Sequence, residues 1–313
     1  MVAREPRFMK MPARLVLLAG VLVLIATTAL LAPSGAVAQV KKTPDVRIGV
    51  STYPYYVIGV GRSDNVWVFM RVANRGRAAT PLTYKFTVTR LVGNLPTPEP
   101  LVIGSVVDQA IKPGDKRVDS VEIKNLPIGR YKVRVEAVTV GEVKKGDNVN
   151  SSDAFSVIPN IWRGTASLQG TTPTGSTFKS DTVPSVTFTF KDKESTGFVY
   201  TAAGQVTQTI SGGAPTVFAG TGTFDIIPDQ STLILSEDML VYDILGLPPQ
   251  GATFKVVATA SGYYFATVDM PFVDWLHTGP KDKLPGDTTL AGSYPTNAGV
   301  TGDFTWSFSA VTE

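Results

Sequence analysis

Residues 82–89 read Leu82-Thr83-Tyr84-Lys85-Phe86-Thr87-Val88-Thr89. Apolar side chains alternate with threonines and a lysine, the two-residue period of a strand with one face on a core and one in water. The pattern recurs along the chain. Tyr131, Val133, Val135 and Ala137 alternate with Lys132, Arg134 and Glu136; Val186, Phe188 and Phe190 alternate with Thr187 and Thr189. Near the end, Phe304, Trp306, Phe308 and Ala310 alternate with Thr305, Ser307 and Ser309. Helical periodicity is nearly absent after the first 38 residues. The 29 glycines and 22 prolines fall largely between these runs, where turns need them. The chain therefore reads as all-β, built of antiparallel sheets with one wet face.

The start has a different logic. Arg4, Arg7, Lys10 and Arg14 precede an apolar run from Leu15 to Leu31, and Pro33, Gly35 and Ala36-Val37-Ala38 follow. A basic start, an apolar segment and a small-x-small site describe a secretory signal over residues 1–38, with an uncleaved membrane anchor as the alternative. The expected location is extracellular or at the cell surface, with no membrane contact after cleavage. The chain has no Cys, which removes thiol catalysis, thiolate metal sites and a lipid-modified cysteine.

Two sizeable cores fit in what remains. The expected division is an immunoglobulin-like sandwich over residues 39–157 and a larger antiparallel sandwich or barrel over 158–313. The seam is marked by Pro159-Asn160 and by a reversal of charge. Residues 39–157 hold 18 basic and 11 acidic side chains, a balance of +7; residues 158–313 hold 7 and 14, a balance of −7. Basic residues are scattered along strands and not clustered with aromatics, so nucleic acid is not an expected partner. Gly170 to Val183 and Asp274 to Asp287, both polar, read as long loops.

Three motifs in residues 64–157 point to a family. Val66 to Gly76 is a strand running into an Asn-x-Gly turn, Ile111-Lys112-Pro113-Gly114-Asp115 is a Pro-Gly turn, and Leu126-Pro127-Ile128-Gly129-Arg130-Tyr131 is a Pro-x-Gly turn opening a tyrosine-led strand. This order resembles the cell-adhesion-related domain of bacteria and archaea known as CARDB, an immunoglobulin-like sandwich. The resemblance implies a spacer or adhesive module on an exported protein. Gly141 to Asn150 partly matches the acidic hairpin that ends such domains; Lys144 and Lys145 interrupt it, and it reads as a structural hairpin without calcium.

Chemistry-bearing residues are few. His277 is the single imidazole, with Asp274 nearby, but no Gly-x-Ser-x-Gly turn accompanies it. One His and no Cys make a poor zinc site. Glu237-Asp238 reads as a hairpin turn, whereas glycoside hydrolysis needs two acids held across a cleft. The expectation is no enzyme, no catalytic residue, no cofactor and no metal. Tyr263, Tyr264, Phe272 and Trp275, with Phe265, form an aromatic concentration that reads either as a ligand mouth or as core and rim. Val46, Ile48 and Val50 alternate in a first strand that either pairs within its own domain or is lent to a neighbouring subunit. Asn150-Ser151-Ser152 is a formal glycosylation acceptor. The partners that fit are proteins, including further copies of the chain, or a glycan. The resulting expectation is an adhesive surface protein assembling head to tail through oppositely charged halves, with a carrier of a sugar or apolar ligand as the alternative.

Overall fold

The computed structural model describes residues 42–311 apart from 60–64, 98–99, 144, 285 and 298; the expected signal segment lies outside the described residues. Every regular element among them is a strand. The alternation quoted above decides the strand faces. Leu82, Tyr84 and Val88 are buried, as are Tyr131, Val133, Val135 and Ala137, while Lys85, Lys132 and Arg134 are exposed.

Residues 46–158 form two sheets over one core. Val46–Tyr53, Val66–Asn74 and Lys116–Ile123 make the first. The second is built on the order Tyr56–Ile58, Phe155–Ile158, Gly129–Thr139, Thr80–Val92, with Val102–Ile111 added against Thr80–Val92. Val68, Met70 and Val72 from one sheet meet Tyr84, Tyr131, Val133 and Phe155 from the other, which makes this half a sandwich. Tyr131 begins its strand with Oη donating to Pro127 O at 2.6 Å. A tyrosine at a strand start bonding a few residues upstream is the corner of immunoglobulin-type sandwiches. Burial pushes its hydroxyl pKa up to about 12, so it remains a donor at neutral pH.

From Ile161 onward the described residues form fourteen strands in one branched sheet, more than the ten or so alternations legible in the sequence. Ile161–Thr171 is the branch point. Thr301–Ala310 runs along its whole length on one edge. The opposite edge is shared, with Val186–Glu194 pairing residues 161–164 and Ser176–Thr182 pairing residues 167–171. Where the ladders part, the Thr182 hydroxyl accepts Ala166 N–H at 2.9 Å and bonds Ala166 O at 3.3 Å, replacing the missing backbone partner. The two branches diverge and enclose the main core of this half, with Ile210, Phe254 and Val256 forming a smaller one. Phe178, Val206 and Phe224 come from one branch, Phe188, Phe198, Leu233 and Ile244 from the other. The sheet therefore stays open and no barrel closes among the described residues, so of the two architectures expected for this half the layered one is found.

Two loop readings are corrected. Residues 170–183 contain the strand Ser176–Thr182, whose inward side chains are Ser176, Phe178, Ser180 and Thr182. Hydroxyls on the buried face hide the alternation from a reading based on hydrophobicity. Residues 274–287 hold two short strands, Leu276–His277 and Lys281–Asp282, both paired with Val241–Gly246. Glu237 and Asp238 do lie in the turn before Val241–Gly246, with Glu237 3.3 Å from Lys193.

The strands change sheet at Pro159-Asn160, and this seam is packed. Tyr56 stacks near Phe190 and Phe198 with ring centroids at 5.9 and 5.8 Å, and Tyr200 Oη donates to Pro159 O at 3.0 Å. Lys283 is buried at the same seam, its ammonium 3.3 Å from Leu284 O. Burial, with the Arg90 guanidinium nearby, pulls its pKa down to about 8 against the ordinary 10.5, while Asp287 works the other way. Between these values the unfolded chain binds more protons than the folded one, so stability rises as pH climbs from about 8 towards 10. The full shift corresponds to at most about 3 kcal/mol. Denaturant unfolding of the wild type and Lys283→Met at several pH values checks this: the rise should be present in the first and missing from the second.

Candidate functional site

The four aromatics picked out from the sequence are not brought together. Trp275 is 1 % exposed, its ring 6.3 Å from Phe188 and its Nε1 donating to Ser231 Oγ at 3.3 Å. Phe272 is half-buried and packs on Phe224 and Phe254, with centroids at 4.7 and 5.0 Å. Tyr263 and Tyr264 are 79 % and 68 % exposed, and Phe265 beside them is 73 % exposed. Two of the four are thus core or rim, and two stand in solvent.

The exposed group lies on Tyr263–Pro271, the last strand of its branch, which among the described residues pairs only with Thr253–Ala260. Ser261 and Gly262 form the turn between them, both with positive φ (53° and 80°), the geometry of the tight hairpin turns that match strand twist. Phe265 has no partner across the hairpin, because the register slips between Ala258 and Thr259. Such a bulge twists an edge strand, and Pro271 removes one donor at its far end. Backbone addition along this edge is thereby blunted, and side chains become its main contact surface. Val257 and Val268 are exposed on opposite faces of the same hairpin, Val257 on the face of Thr259 and Tyr264 and Val268 on the face of the buried Val256.

A second aromatic surface, not singled out from the sequence, lies in the first half. Tyr53, Tyr55 and Trp67 are exposed around an open hollow of about 620 Å³ that also touches Tyr56, Val57 and Asn65. Tyr53 and Trp67 are direct cross-strand partners. The signal was present: in Val66-Trp67-Val68 the tryptophan occupies the wet face of the alternation. Asn65 donates to Glu122 Oε1, and Lys124 pairs with Glu122 at 2.8 Å, so the rim is polar.

The first strand is held within its own chain. All eight residues of Val46–Tyr53 pair with Val66–Asn74, and Val46 and Ile48 are buried in the sandwich core while Val50 packs against it. Its outer edge is engaged too: Ile48 N–H donates to Asp147 O and Asn150 Nδ2 donates to Ile48 O at 3.1 Å. Of the two readings of Val46, Ile48 and Val50, pairing within their own domain is the arrangement seen in this chain; lending the strand to a neighbour would break these bonds. The Asn150 amide nitrogen, the atom a glycan would modify, is the one bonded to Ile48.

His277 is exposed and lines an open hollow of about 390 Å³ with Asp274, Tyr294 and Asn297; among the described residues no serine contributes to that lining. Burial raises the Asp274 pKa, and the His277 charge opposes the shift. Among carboxylates, Asp45, Glu142 and Asp147 converge at the edge of the first sandwich. No family model, curated protein or solved structure matches the chain.

Proposed function

We propose that this chain is an exported, non-enzymatic adhesive protein of the cell surface whose copies associate head to tail. One observation carries the reading: the edge strand Tyr263–Pro271 presents three successive exposed aromatics on a strand without a partner on its outer side among the described residues. Exposed apolar surface of this kind marks contact sites. Charge supplies the direction. The strand belongs to the half with a balance of −7 and is drawn to the half with +7, where Tyr53, Tyr55 and Trp67 offer a second aromatic surface. Contact between two different surfaces is heterologous, and it gives an open filament wherever the rotation between copies does not close a ring. The CARDB resemblance of residues 64–157 and the signal-like start agree with a surface location. The same exposed aromatics also suit a glycan partner.

Light scattering and electron microscopy of the chain lacking residues 1–38 test this. Assembly is expected at about 0.01 M salt, where charges act over about 30 Å, and dissolution near 1 M, where they act over about 3 Å. The double variant Tyr264→Asp, Phe265→Asp should stay monomeric in both, with an unchanged melting temperature. Salt-indifferent wild-type monomers would remove the basis for this reading.

A second reading, a carrier of an apolar ligand, draws on a hollow of about 280 Å³ lined by Ile210, Phe218, Val256 and Met270. It is an open hollow and not an enclosed cavity, so the assembly reading is preferred.

A further inference from the structure

We infer that the hollow walled by Tyr294 and rimmed by Asp274, His277 and Asn297 is a binding site for one uncharged sugar ring. Strand register places the wall. Across Ile161–Thr171, Thr301–Ala310 and Thr289–Thr296, Leu168 pairs with Phe304 and Phe304 with Tyr294. Directly paired residues project to the same side of a sheet, so Tyr294 stands on the side that carries the core. Leu168 and Phe304 are buried in that core, yet Tyr294 is 41 % exposed. The core side of the sheet is therefore open to solvent at this row, and the opening is the hollow of about 390 Å³.

The independent observation is Asp274. Its carboxylate lines the hollow, is half-buried, and accepts no hydrogen bond from any described residue. Burial raises its pKa, and only the charge of His277 acts against that. A carboxylate taken partly out of water without a donor is costly, and such groups in clefts mark functional sites. The plain alternative is a surface acid attracted to its neighbouring imidazole. That account would bring the two within ion-pair distance, and they form no such pair.

The rim is held in place before any ligand arrives. On one side of Asp274, Val273 is clamped by the amide of the buried Gln208, which accepts Val273 N–H at 3.0 Å and donates to Val273 O at 2.7 Å. On the other side, Trp275 N–H donates to Gly246 O at 2.9 Å. His277 pairs with Leu245, and Thr278 beside it bonds Ile244 twice, its hydroxyl accepting Ile244 N–H at 2.8 Å and its own N–H donating to Ile244 O at 3.0 Å. Groups fixed in this way lose little freedom when a ligand binds.

The lining selects the chemistry of the ligand. Lys281 Nζ lies 4.8 Å from the centre of the Tyr294 ring and repels a cation, and Asp274 repels an anion. A wholly apolar molecule would cover a carboxylate, an imidazole and an amide without bonding them. A neutral ring with a C–H face and a hydroxyl edge avoids all three penalties. Its C–H face meets the apolar wall of Tyr294 and Phe304, while its hydroxyls donate to Asp274 and bond His277 and Asn297. Such a ring leaves other hydroxyls in water, so an open hollow suits it, whereas an apolar cargo needs enclosure. The site lies away from the edge strand Tyr263–Pro271, and it does not rest on the assembly reading.

The test titrates the whole chain with glucose, galactose, mannose and N-acetylglucosamine by calorimetry and saturation-transfer NMR. Each is used free and as the end unit of a short oligosaccharide, with glucuronate and glucosamine as anionic and cationic controls. At least one neutral sugar is expected to bind once per chain with a dissociation constant of about 1 mM, the order reached by a ring of about a dozen atoms. Equal affinity for the free sugar and the oligosaccharide identifies a single sugar as the ligand, and tighter binding of the oligosaccharide identifies a glycan chain. Asp274→Ala and Tyr294→Ala should each weaken binding at least about tenfold with an unchanged melting temperature, whereas Tyr294→Phe, which keeps the ring, should bind within about threefold of the wild type. Tyr264→Asp, Phe265→Asp should bind sugar as the wild type does, which separates this site from assembly. Absence of binding by every neutral sugar overturns the proposal, as does binding of the charged controls alone, or wild-type affinity in both alanine variants.

Discussion

Trp275→Ala is expected to lower the unfolding free energy by about 3–5 kcal/mol, the cost of emptying a large aromatic site in a core. Tyr263→Ala and Tyr264→Ala are each expected to change it by less than about 0.5 kcal/mol, as surface substitutions do. The contrast follows from placement. Trp275 is enclosed, its ring near Phe188 and its indole N–H on Ser231, and Gly246 has no side chain because a Cβ there would lie 2.4 Å from the indole. The two tyrosines stand on an edge strand, 79 % and 68 % exposed, paired among the described residues only within their own hairpin. Urea titrations of the three variants decide the matter. Comparable losses in all three would mean that the aromatics form one packed unit, and the free edge on which the assembly reading rests would be gone.

Gly164→Ala is expected to cost about 3 kcal/mol, the upper end of the usual penalty for overpacking. A Cβ at Gly164 would sit 1.9 Å from Ser307 O and 2.6 Å from Phe308 Cα. Both obstacles are backbone, so no side-chain rotation relieves them, and the strand Ile161–Thr171 would have to part from Thr301–Ala310. That pairing joins the first and last long strands of the second half, and Ile161–Thr171 is the strand from which both branches start. Gly251→Ala makes a poor comparison, because Gly251 has a φ of +75° and is strained for its own reason. Gly49→Ala is the better control, with no atom nearer than 3.9 Å to the added carbon. Equal melting temperatures for Gly164→Ala and the wild type would show that the branch point tolerates separation.

The strand faces were legible wherever one face was apolar and the other polar. Leu82 to Thr89, Tyr131 to Ala137 and Phe304 to Ser309 fold as their alternation dictates. Ser176 to Thr182 was not legible, because its buried face carries hydroxyls that find partners only after folding: Thr182 on Ala166, and Ser176 on Gly212 O at 2.9 Å. Exposure of an aromatic was half legible. Trp67 declares itself by sitting between two inward valines, whereas Trp275 lies in a stretch of weak alternation and gives no sign of its burial. The carboxylate cluster was not legible at all, since Asp45 comes from the first strand's approach and Glu142 and Asp147 from a hairpin some hundred positions later in the chain.

By itself the sequence determined that the chain is β throughout its described length, that its turns fall at Gly and Pro, and that its two halves carry opposite charge. Periodicity and composition are local or additive properties, and they survive without knowledge of neighbours. Only the tertiary structure decided which edges stay free, which aromatics are enclosed and which acids converge. Those depend on strand order and register, and they are set by pairing between residues far apart in the chain.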